Sequence, residues 1–290
     1  MNRQPLMIAT CISALLGLAA CASQASTKST LPATPIIDPG TGEVIANPEA
    51  LIGYLSKDQV PDSLALLPPP PAEGSAALAH DQAAAQAAFA LRGTPRWEQA
   101  ISDADLRFPH AASFFTCALG AEISEQETPH AYSLLRRLRA DASAATSLAK
   151  DHYKRPRPFM ANQQDLCTPE GRDGLAGNGS YPSGHTAIGW IWALVLTEIA
   201  PDRANPLLAR GRNYGESRMV CNVHWNSDLV GGRHMASAVL ARLHAEPAFQ
   251  KDLSAAKTEV AALRAKGKPL PASCATEAAA LATPLNVVPF

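Results

Sequence analysis

The sequence has almost no excess of charge of either sign. Its 25 lysines and arginines are matched by 26 aspartates and glutamates, so the formal net charge is −1. Without an overall basic field, we expect no nucleic acid polymer as a partner, although a local cationic pocket is compatible with a nearly neutral total. Cys-X-X-Cys and Cys-His ligand spacings are also missing, which disfavours a structural zinc site.

Long apolar runs are missing beyond the N-terminus. A membrane-spanning helix needs roughly twenty apolar residues, and the nearest candidate, 187–200, is short and contains Glu198. Sustained alternation of apolar and polar residues, which half-buried strands require, is missing too. Instead, apolar residues recur at intervals of three and four after Gly74. The sequence therefore predicts an all-α fold without membrane helices.

The N-terminus resembles an export signal. Residues 1–20 contain Arg3 as their only charged side chain and end in small residues. They lead into Leu-Ala-Ala-Cys21, which resembles the lipobox in which the cysteine is lipidated, and Ala22 resembles lipoproteins sent to the outer membrane. The alternative is ordinary cleavage after Ala25. Both predict a periplasmic protein whose only membrane contact would be an N-terminal lipid anchor.

Six cysteines limit the disulfide pattern. Cys11 leaves with the signal, and Cys21 is committed if it is lipidated. An even number then remains in an oxidising compartment, so up to two disulfides are expected. Three pairings are open, and the sequence does not choose among them. The remaining residues are Cys117, Cys167, Cys221 and Cys274.

Composition favours one domain with appendages. Of 290 residues, 47% are hydrophobic and 18% charged, which is enough for one large core. Residues 21–53, rich in Ser, Thr, Pro and Gly, predict a tether or irregular arm. A helical domain is expected over 54–266 and an irregular tail over 267–290. Leucines precede the prolines of 68–71, which suggests that this stretch packs against the globular body.

The periodicity predicts eight helices with boundaries uncertain by about two to four residues. The loop over 157–181, rich in glycine, is long for a compact domain, which more often indicates function than simple connection. The predicted helices are 76–91, 95–103, 108–121, 128–153, 183–200, 203–219, 222–244 and 247–266.

Three clusters carry chemistry, and the first surrounds the end of a predicted helix. Lys150 is followed by the run Arg155-Pro156-Arg157-Pro158. Since a proline disfavours helical backbone in the residue before it, Arg155 and Arg157 should be extended and able to project their guanidinium groups at one point. The alternative is that these cations only cap helix carbonyls and complement the helix dipole.

The second cluster, Pro182-Ser183-Gly184-His185, directly precedes an apolar helix. A helix N-terminus presents unpaired N–H groups, Ser183 adds a hydroxyl, and Gly184 lets an anion approach the backbone. This is a natural phosphate site, with His185 beside whatever binds there. The alternative is that Ser183 is only a helix cap and His185 a surface residue.

In the third cluster, Ser217-Arg218 is followed by His224 and, four residues later, Asp228. If this segment is helical, His224 and Asp228 are neighbours on one face. A carboxylate that accepts the Nδ1 proton of an imidazole leaves Nε2 with its lone pair outward, as a nucleophile requires. The alternatives are a purely structural hydrogen bond and half of a metal site that lacks obvious further ligands.

Together, the three clusters resemble the tripartite signature of the phosphatidic acid phosphatase type 2 superfamily, which includes the vanadium haloperoxidases. Within it, residues 54–253 resemble a class A bacterial non-specific acid phosphatase. Asn222 and Asn226 stand where glycine and glutamine are common in that class, so preferences at the pocket edge are expected to differ. The matching pattern is Lys150, six residues, Arg157-Pro158; Pro182 to His185; then Ser217-Arg218, five residues, His224, three residues, Asp228.

The resemblance implies a single-domain helical bundle and a phosphohistidine mechanism without metal or cofactor. His224 would be the nucleophile, Asp228 would orient it, and His185 would protonate the leaving group. A protonated His185 favours acidic working pH, since an unperturbed histidine titrates near roughly 6.5. The phosphoryl oxygens would be bound by Lys150, Arg157, Ser183, Gly184 and Arg218.

The expected substrates are small and varied phosphomonoesters, because no leaving-group pocket is specified by the sequence. Other members of the class resemble apyrases or transfer phosphate to nucleosides, so the resemblance implies nucleotides among the substrates. Members of the family often form oligomers, so a homo-oligomer is compatible with this assignment. Two alternatives remain open. One is a haloperoxidase that holds vanadate as a cofactor in the same pocket, and the other is a catalytically silent envelope lipoprotein.

Overall fold

The computed structural model describes residues 36–37, 44–45, 52–283 and 285. The predicted signal at 1–20, the candidate lipidation site Cys21 and most of the predicted arm lie outside the described residues. In the part of the chain that is described, no helix is both long and apolar enough to cross a membrane.

The expected all-α fold is confirmed. Strand β1 (Ile36–Ile37) pairs antiparallel with β2 (Val44–Ile45) in a two-residue ladder, and helices form the rest of the regular structure in the described ranges. The α-helices are α1 Ser63–Leu66, α2 Ala76–Ala88, α3 Pro95–Ser102, α4 Thr116–Leu119, α5 Pro129–Ala144, α6 Ser147–Tyr153, α7 Pro158–Asn162, α8 Arg172–Ala176, α9 Gly184–Ile199, α10 Ala204–Val220, α11 Asn226–Leu243, α12 Pro247–Ala265 and α13 Ser273–Leu281.

Helix α9 lies at the centre of the core, because it is apolar on nearly all sides. Ile191 and Trp192 are fully buried, and helices α5, α10 and α11 pack around them. Gly189 lets α10 approach closely, since a Cβ atom there would overlap the ring of Tyr214. This packing matters for function, because α9 begins at Gly184 and the sequence clusters lie at the same end of the bundle.

Three predicted helices differ from the structure. In the stretch 108–121, His110–Phe115 is a 3₁₀-helix and only Thr116–Leu119 (α4) is α-helical. The stretch 128–153 forms two helices, since α5 ends at Ala144 and α6 begins only at Ser147. The prediction of a helix from residue 222 is also wrong at its start. Asn222 has a φ of 61°, in the left-handed region that interrupts a helix, and α11 begins at Asn226. His224 therefore lies in a turn and not on the helix.

The C-terminal segment is more ordered than predicted. An irregular tail was expected over 267–290, but α13 forms within it, because the sequence from Ser273 is rich in the strong helix former alanine. A disulfide between Cys117 and Cys274 and an ion pair of 3.3 Å between Arg210 and Glu277 attach α13 to the bundle.

The second disulfide joins Cys167 to Cys221, which selects one of the three pairings that the sequence left open. It links the 157–181 loop, where α7 and α8 lie, to the end of α10. A further attachment involves the proline stretch: Leu67 is buried in the core, and the carbonyl oxygen of Pro68 accepts a 2.8 Å hydrogen bond from the Tyr181 hydroxyl. These links bring three distant stretches of chain to one end of α9.

Candidate active site

His224 and Asp228 form a buried hydrogen-bonded pair at the start of α11. Oδ2 of Asp228 lies 3.2 Å from Nδ1 of His224 and accepts a 2.8 Å hydrogen bond from the backbone N–H of Trp225. Asp228 thereby binds the imidazole and also satisfies an N–H at the helix N-terminus. The predicted pair is present, but it spans a turn and the first turn of a helix instead of one helical face.

The surroundings of His224 keep its imidazole neutral. Burial holds the pKa of His224 well below its usual value of 6.5, and the charges of Arg157, Lys150, Arg218 and His185 lower it further. With Nδ1 directed at Asp228, the proton of the neutral ring belongs on Nδ1 and the lone pair on Nε2. Nη1 of Arg157 lies 3.0 Å from that Nε2 atom and can donate to it. The ring is thus held in the tautomer that a nucleophile needs.

Arg157 is fully buried, and backbone carbonyl oxygens hold it in place. It precedes α7 with the extended backbone (φ −78°, ψ 156°) that the following proline predicts. Nε donates to Leu175 O at 2.8 Å and Asn178 O at 3.1 Å, and Nη1 donates to Val223 O at 3.0 Å. Neutral acceptors orient the guanidinium without cancelling its charge.

Arg155 does not join Arg157, so the prediction that both project at one point is wrong. Nη1 of Arg155 donates to Oδ1 of Asp228 at 2.6 Å, and Nη2 donates to Oδ2 of Asp81 at 2.7 Å. Two buried carboxylates attract this guanidinium, whereas a position beside the other cations would repel it. Asp81, on α2, is a site residue that sequence reasoning missed, since a single aspartate in an alanine-rich helix carries no distinguishing pattern.

Two further cations, Lys150 in the last turn of α6 and Arg218 in the last turn of α10, are each 1% exposed. Nζ of Lys150 donates to Gly179 O at 2.8 Å, in the glycine-rich loop and not in its own helix, so helix capping does not account for it. Both charges are among the causes of the low pKa of His224. The charges of Lys150, Arg157 and Arg218 therefore act on the same imidazole, and Arg157 contacts it directly.

The second cluster forms the N-terminus of α9, next to the third. Ser183 caps the helix, its Oγ accepting from Thr186 N at 3.2 Å, and Ser183 N donates to the carbonyl oxygen of Asp228 at 3.0 Å. Gly184 is the first residue of the helix. A Cβ at Gly232 would overlap Ser183 O closely, so this glycine permits the contact between α9 and α11. Ser183 is therefore the N-cap of α9, and the same geometry aligns the two clusters.

His185 is 1% exposed, so the alternative that it is a surface residue is wrong. Its Nε2 lies 3.1 Å from the carbonyl oxygen of Ala104. A carbonyl only accepts, so Nε2 carries a hydrogen, and Nδ1 is the nitrogen that can take up or release a proton. Its ring stacks on Tyr214 with centroids 6.4 Å apart. The backbone acceptor at Ala104 left no signal in the sequence.

A cavity of about 420 Å³ opens on the Lys150 side of this cluster. Asn222, at which a different preference at the edge of the pocket was expected, does not line this cavity. Its amide instead donates to Asn162 Oδ1 at 3.1 Å and Asp165 O at 3.2 Å and holds the 157–181 loop. The cavity is lined by Lys150, Asp151, Lys154, Met160, Asn178 and Gly179, among others.

Comparison with known proteins places this geometry in a family. The family model of the PAP2 superfamily matches residues 132–249, which hold all three clusters. The chain is 45% identical to a non-specific acid phosphatase of Providencia stuartii, with 79% of this chain and 91% of that protein covered. The chain belongs to the non-specific acid phosphatases of the PAP2 superfamily.

Two further relatives agree. A non-specific acid phosphatase of Salmonella typhimurium is 40% identical over 73% of this chain and 85% of its own length. An acid phosphatase of Zymomonas mobilis is 40% identical over 69% of this chain and 75% of its own length. The expected family, the all-α fold and the assignment as a phosphatase enzyme are thereby confirmed.

Proposed function

We propose that this phosphatase hydrolyses varied small phosphomonoesters, nucleotides among them, through a covalent phosphohistidine at His224. The observation that carries the proposal is the state of this ring. It is buried, neutral, held through Nδ1 by Asp228, and surrounded by three cations that suit a phosphoryl dianion. A neutral imidazole with an unprotonated Nε2 is a competent nucleophile toward phosphorus once the phosphoryl oxygens take over the Arg157 guanidinium that contacts this atom.

In the first step, Nε2 of His224 attacks phosphorus and forms the N–P bond while the P–O bond to the alcohol breaks. His185 gives a proton to the departing oxygen, so the alcohol leaves neutral. The ring becomes an imidazolium, which the carboxylate of Asp228 stabilises. In the second step, water attacks phosphorus, His185 takes up the proton of that water, and the N–P bond breaks to release phosphate and the original imidazole.

The three cations supply the charge stabilisation that a metal ion provides in other phosphoryl-transfer sites. Lys150, Arg157 and Arg218 would bind the non-bridging oxygens, together with the Ser183 hydroxyl and the Gly184 N–H. Fixed charges in a site that excludes water require little reorganisation during reaction. We therefore expect full activity in a chelator. A loss of activity that a divalent ion restores would contradict the metal-independent mechanism.

We also propose that the enzyme works in the periplasm, with or without an N-terminal lipid anchor. The two disulfides support export, since disulfides persist in oxidising compartments and are rare in the cytosol. The 420 Å³ cavity on the Lys150 side has room for alcohol groups of different size, which supports a broad substrate range.

Trapping by a rapid quench in alkaline detergent tests the proposed mechanism, because a phosphohistidine survives in base and is lost in acid. The purified enzyme is mixed with a radiolabelled phosphomonoester, quenched in the first turnover and digested. We expect label on the peptide containing His224, labile in acid and stable in base. His224→Ala should remove it, while His234→Ala, at an exposed histidine of α11, should keep it. Absence of label in the wild type, or label on another residue, would overturn the mechanism.

A further inference from the structure

Resting on this proposed function, we propose that Asp81 is a positioning residue for the nucleophile. Through Arg155 it holds Asp228 in place and supplies the net negative charge that the imidazolium of the phosphoenzyme requires. Asp81 touches neither substrate nor the reacting atoms, and it acts across a chain of charged groups from α2 to His224.

Direct contacts connect Asp81 to His224 without a gap. Arg155 bridges two carboxylates with separate nitrogens, Nη2 to Asp81 at 2.7 Å and Nη1 to Asp228 at 2.6 Å. Both carboxylates are completely buried and Arg155 is 8% exposed. The other oxygen of Asp228 contacts Nδ1 of His224 at 3.2 Å. Hydrogen bonds between ionised partners in such surroundings are strong and directional.

Asp81 also fixes the backbone beside Asp228. Its Oδ1 accepts from the N–H of Ser227 at 2.8 Å, and its Oδ2 accepts from the Ser227 hydroxyl. Arg155 Nη1 reaches the same hydroxyl oxygen at 2.7 Å. The first turn of α11 is therefore held on both sides of the Ser227–Asp228 peptide, which fixes the direction of the carboxylate that binds His224.

The charges explain why an aspartate stands at position 81. Arg155 paired with Asp228 alone is electrically neutral, so a new positive charge on His224 would have no net counter-charge behind it. Asp81 changes the sum of the three groups to −1. Other charged groups facing His224 are positive, namely Lys150, Arg157 and Arg218, with His185 adding when protonated. In this surrounding, the charge of Asp81 favours the imidazolium form.

Phosphorylation and dephosphorylation should respond differently to loss of this charge. Forming the N–P bond creates the imidazolium, whereas hydrolysis removes it. Loss of the counter-charge should therefore slow phosphorylation and leave hydrolysis unchanged or faster. A merely structural role for Asp81 predicts loss of active enzyme, with no such division between the two steps.

The experiment compares Asp81→Asn with wild type and with Asp141→Asn in rapid-quench kinetics. Asparagine keeps the size and one acceptor oxygen and removes the charge. Asp141 is a matched control, since it is a buried aspartate of α5 that accepts backbone N–H groups of Tyr54 and Leu55. We expect phosphorylation to slow by about tenfold to a hundredfold in Asp81→Asn alone, by analogy with the loss that follows removal of the outer partners of metal-binding histidines.

The possible results separate the two proposals. If the wild type traps no phosphohistidine, the proposed mechanism fails. If it does, an unchanged phosphorylation rate in Asp81→Asn, or equal slowing of both steps, overturns the role of Asp81. Should Asp81→Asn not fold, Arg155→Lys tests the same bridge, because one ammonium cannot replace two guanidinium nitrogens on two carboxylates. A phosphorylation rate within threefold of wild type in that variant would overturn it as well.

Discussion

Arg155 and Arg157 are separated by a single proline, yet their surroundings differ completely. Arg155 lies between two buried carboxylates, those of Asp81 and Asp228. Arg157 lies among three backbone carbonyl oxygens, with its Nη1 directed at His224 as well. Both side chains are almost entirely enclosed, so burial does not distinguish them.

The acceptors determine what each arginine can do. A carboxylate cancels the charge of a guanidinium, and the pair then serves to hold structure in place. A carbonyl oxygen orients the same group through a dipole and leaves its formal charge available to an anion. The two arginines should therefore separate by mutation. Loss of Arg155 should lower stability as well as disturb the orientation of Asp228, whereas loss of Arg157 should affect mainly the binding and transfer of phosphate.

The largest effect is expected from Arg155→Met. Removal of this guanidinium leaves Asp81 and Asp228 buried without their common partner, and breaking a buried ion pair costs about 3–5 kcal/mol. Urea unfolding followed by circular dichroism in phosphate-free buffer gives the free energy of unfolding.

Arg157→Met is the control for this measurement. It removes a guanidinium of equal burial whose partners are neutral, and it also relieves repulsion among three cations, so its loss of stability should be clearly smaller. Equal loss in the two variants would mean that the carboxylate and carbonyl surroundings do not differ energetically.

The second prediction concerns catalysis by Arg157. Removing a preorganised donor to a developing charge typically costs about a hundredfold to a thousandfold in rate. We expect Arg157→Met to lower kcat/KM for a phosphomonoester by this factor, with partial recovery in Arg157→Lys. Arg212→Met, at an arginine whose side chain is 61% exposed, should match wild type. A loss below tenfold in Arg157→Met would show that its charge is not used in the transition state.

The same two arginines show how far the sequence could be interpreted. Local rules were sufficient for the backbone of Arg157, since the following proline predicts its extended conformation, while its role in phosphate binding stays a prediction from the motif spacing. They were insufficient for Arg155, because its partner Asp81 is 74 residues away. A buried aspartate in an alanine-rich helix looks the same in sequence as an exposed one, and only packing of α2 against α11 distinguishes them.

Other parts of the site also divide into features that local sequence predicts and features that depend on tertiary packing. The cap at Ser183 and the apolar helix after it follow from residue type and periodicity. The carbonyl of Ala104 that binds His185 belongs to the backbone and depends on tertiary packing, so no residue pattern indicates it. The turn at Asn222 replaces a predicted helical turn, because the left-handed residue and the Cys167–Cys221 disulfide fix a local path that amphipathic periodicity does not record.

The smallest expected effect is on the pH dependence of stability. It tests whether the cations near Arg157, whose charges are not cancelled by carboxylates, act on His224. The pKa of His224 is lowered well below 6.5 in the folded protein by burial and by the cations. Below pH 6.5 the unfolded chain therefore binds a proton at this residue that the folded chain does not, and the free energy of unfolding falls as the pH falls. The decline should continue until the pH reaches the folded-state pKa.

His224→Asn isolates this contribution, because asparagine can still donate to Asp228 but does not titrate. Between pH 6 and pH 5, the wild type should lose about 1 kcal/mol more stability than His224→Asn, since one proton contributes about 1.4 kcal/mol per pH unit when fully bound by the unfolded state. Other titrating groups are common to both proteins and cancel in the difference. Parallel pH profiles would mean that His224 titrates normally when folded, and the cations would then not act on the imidazole.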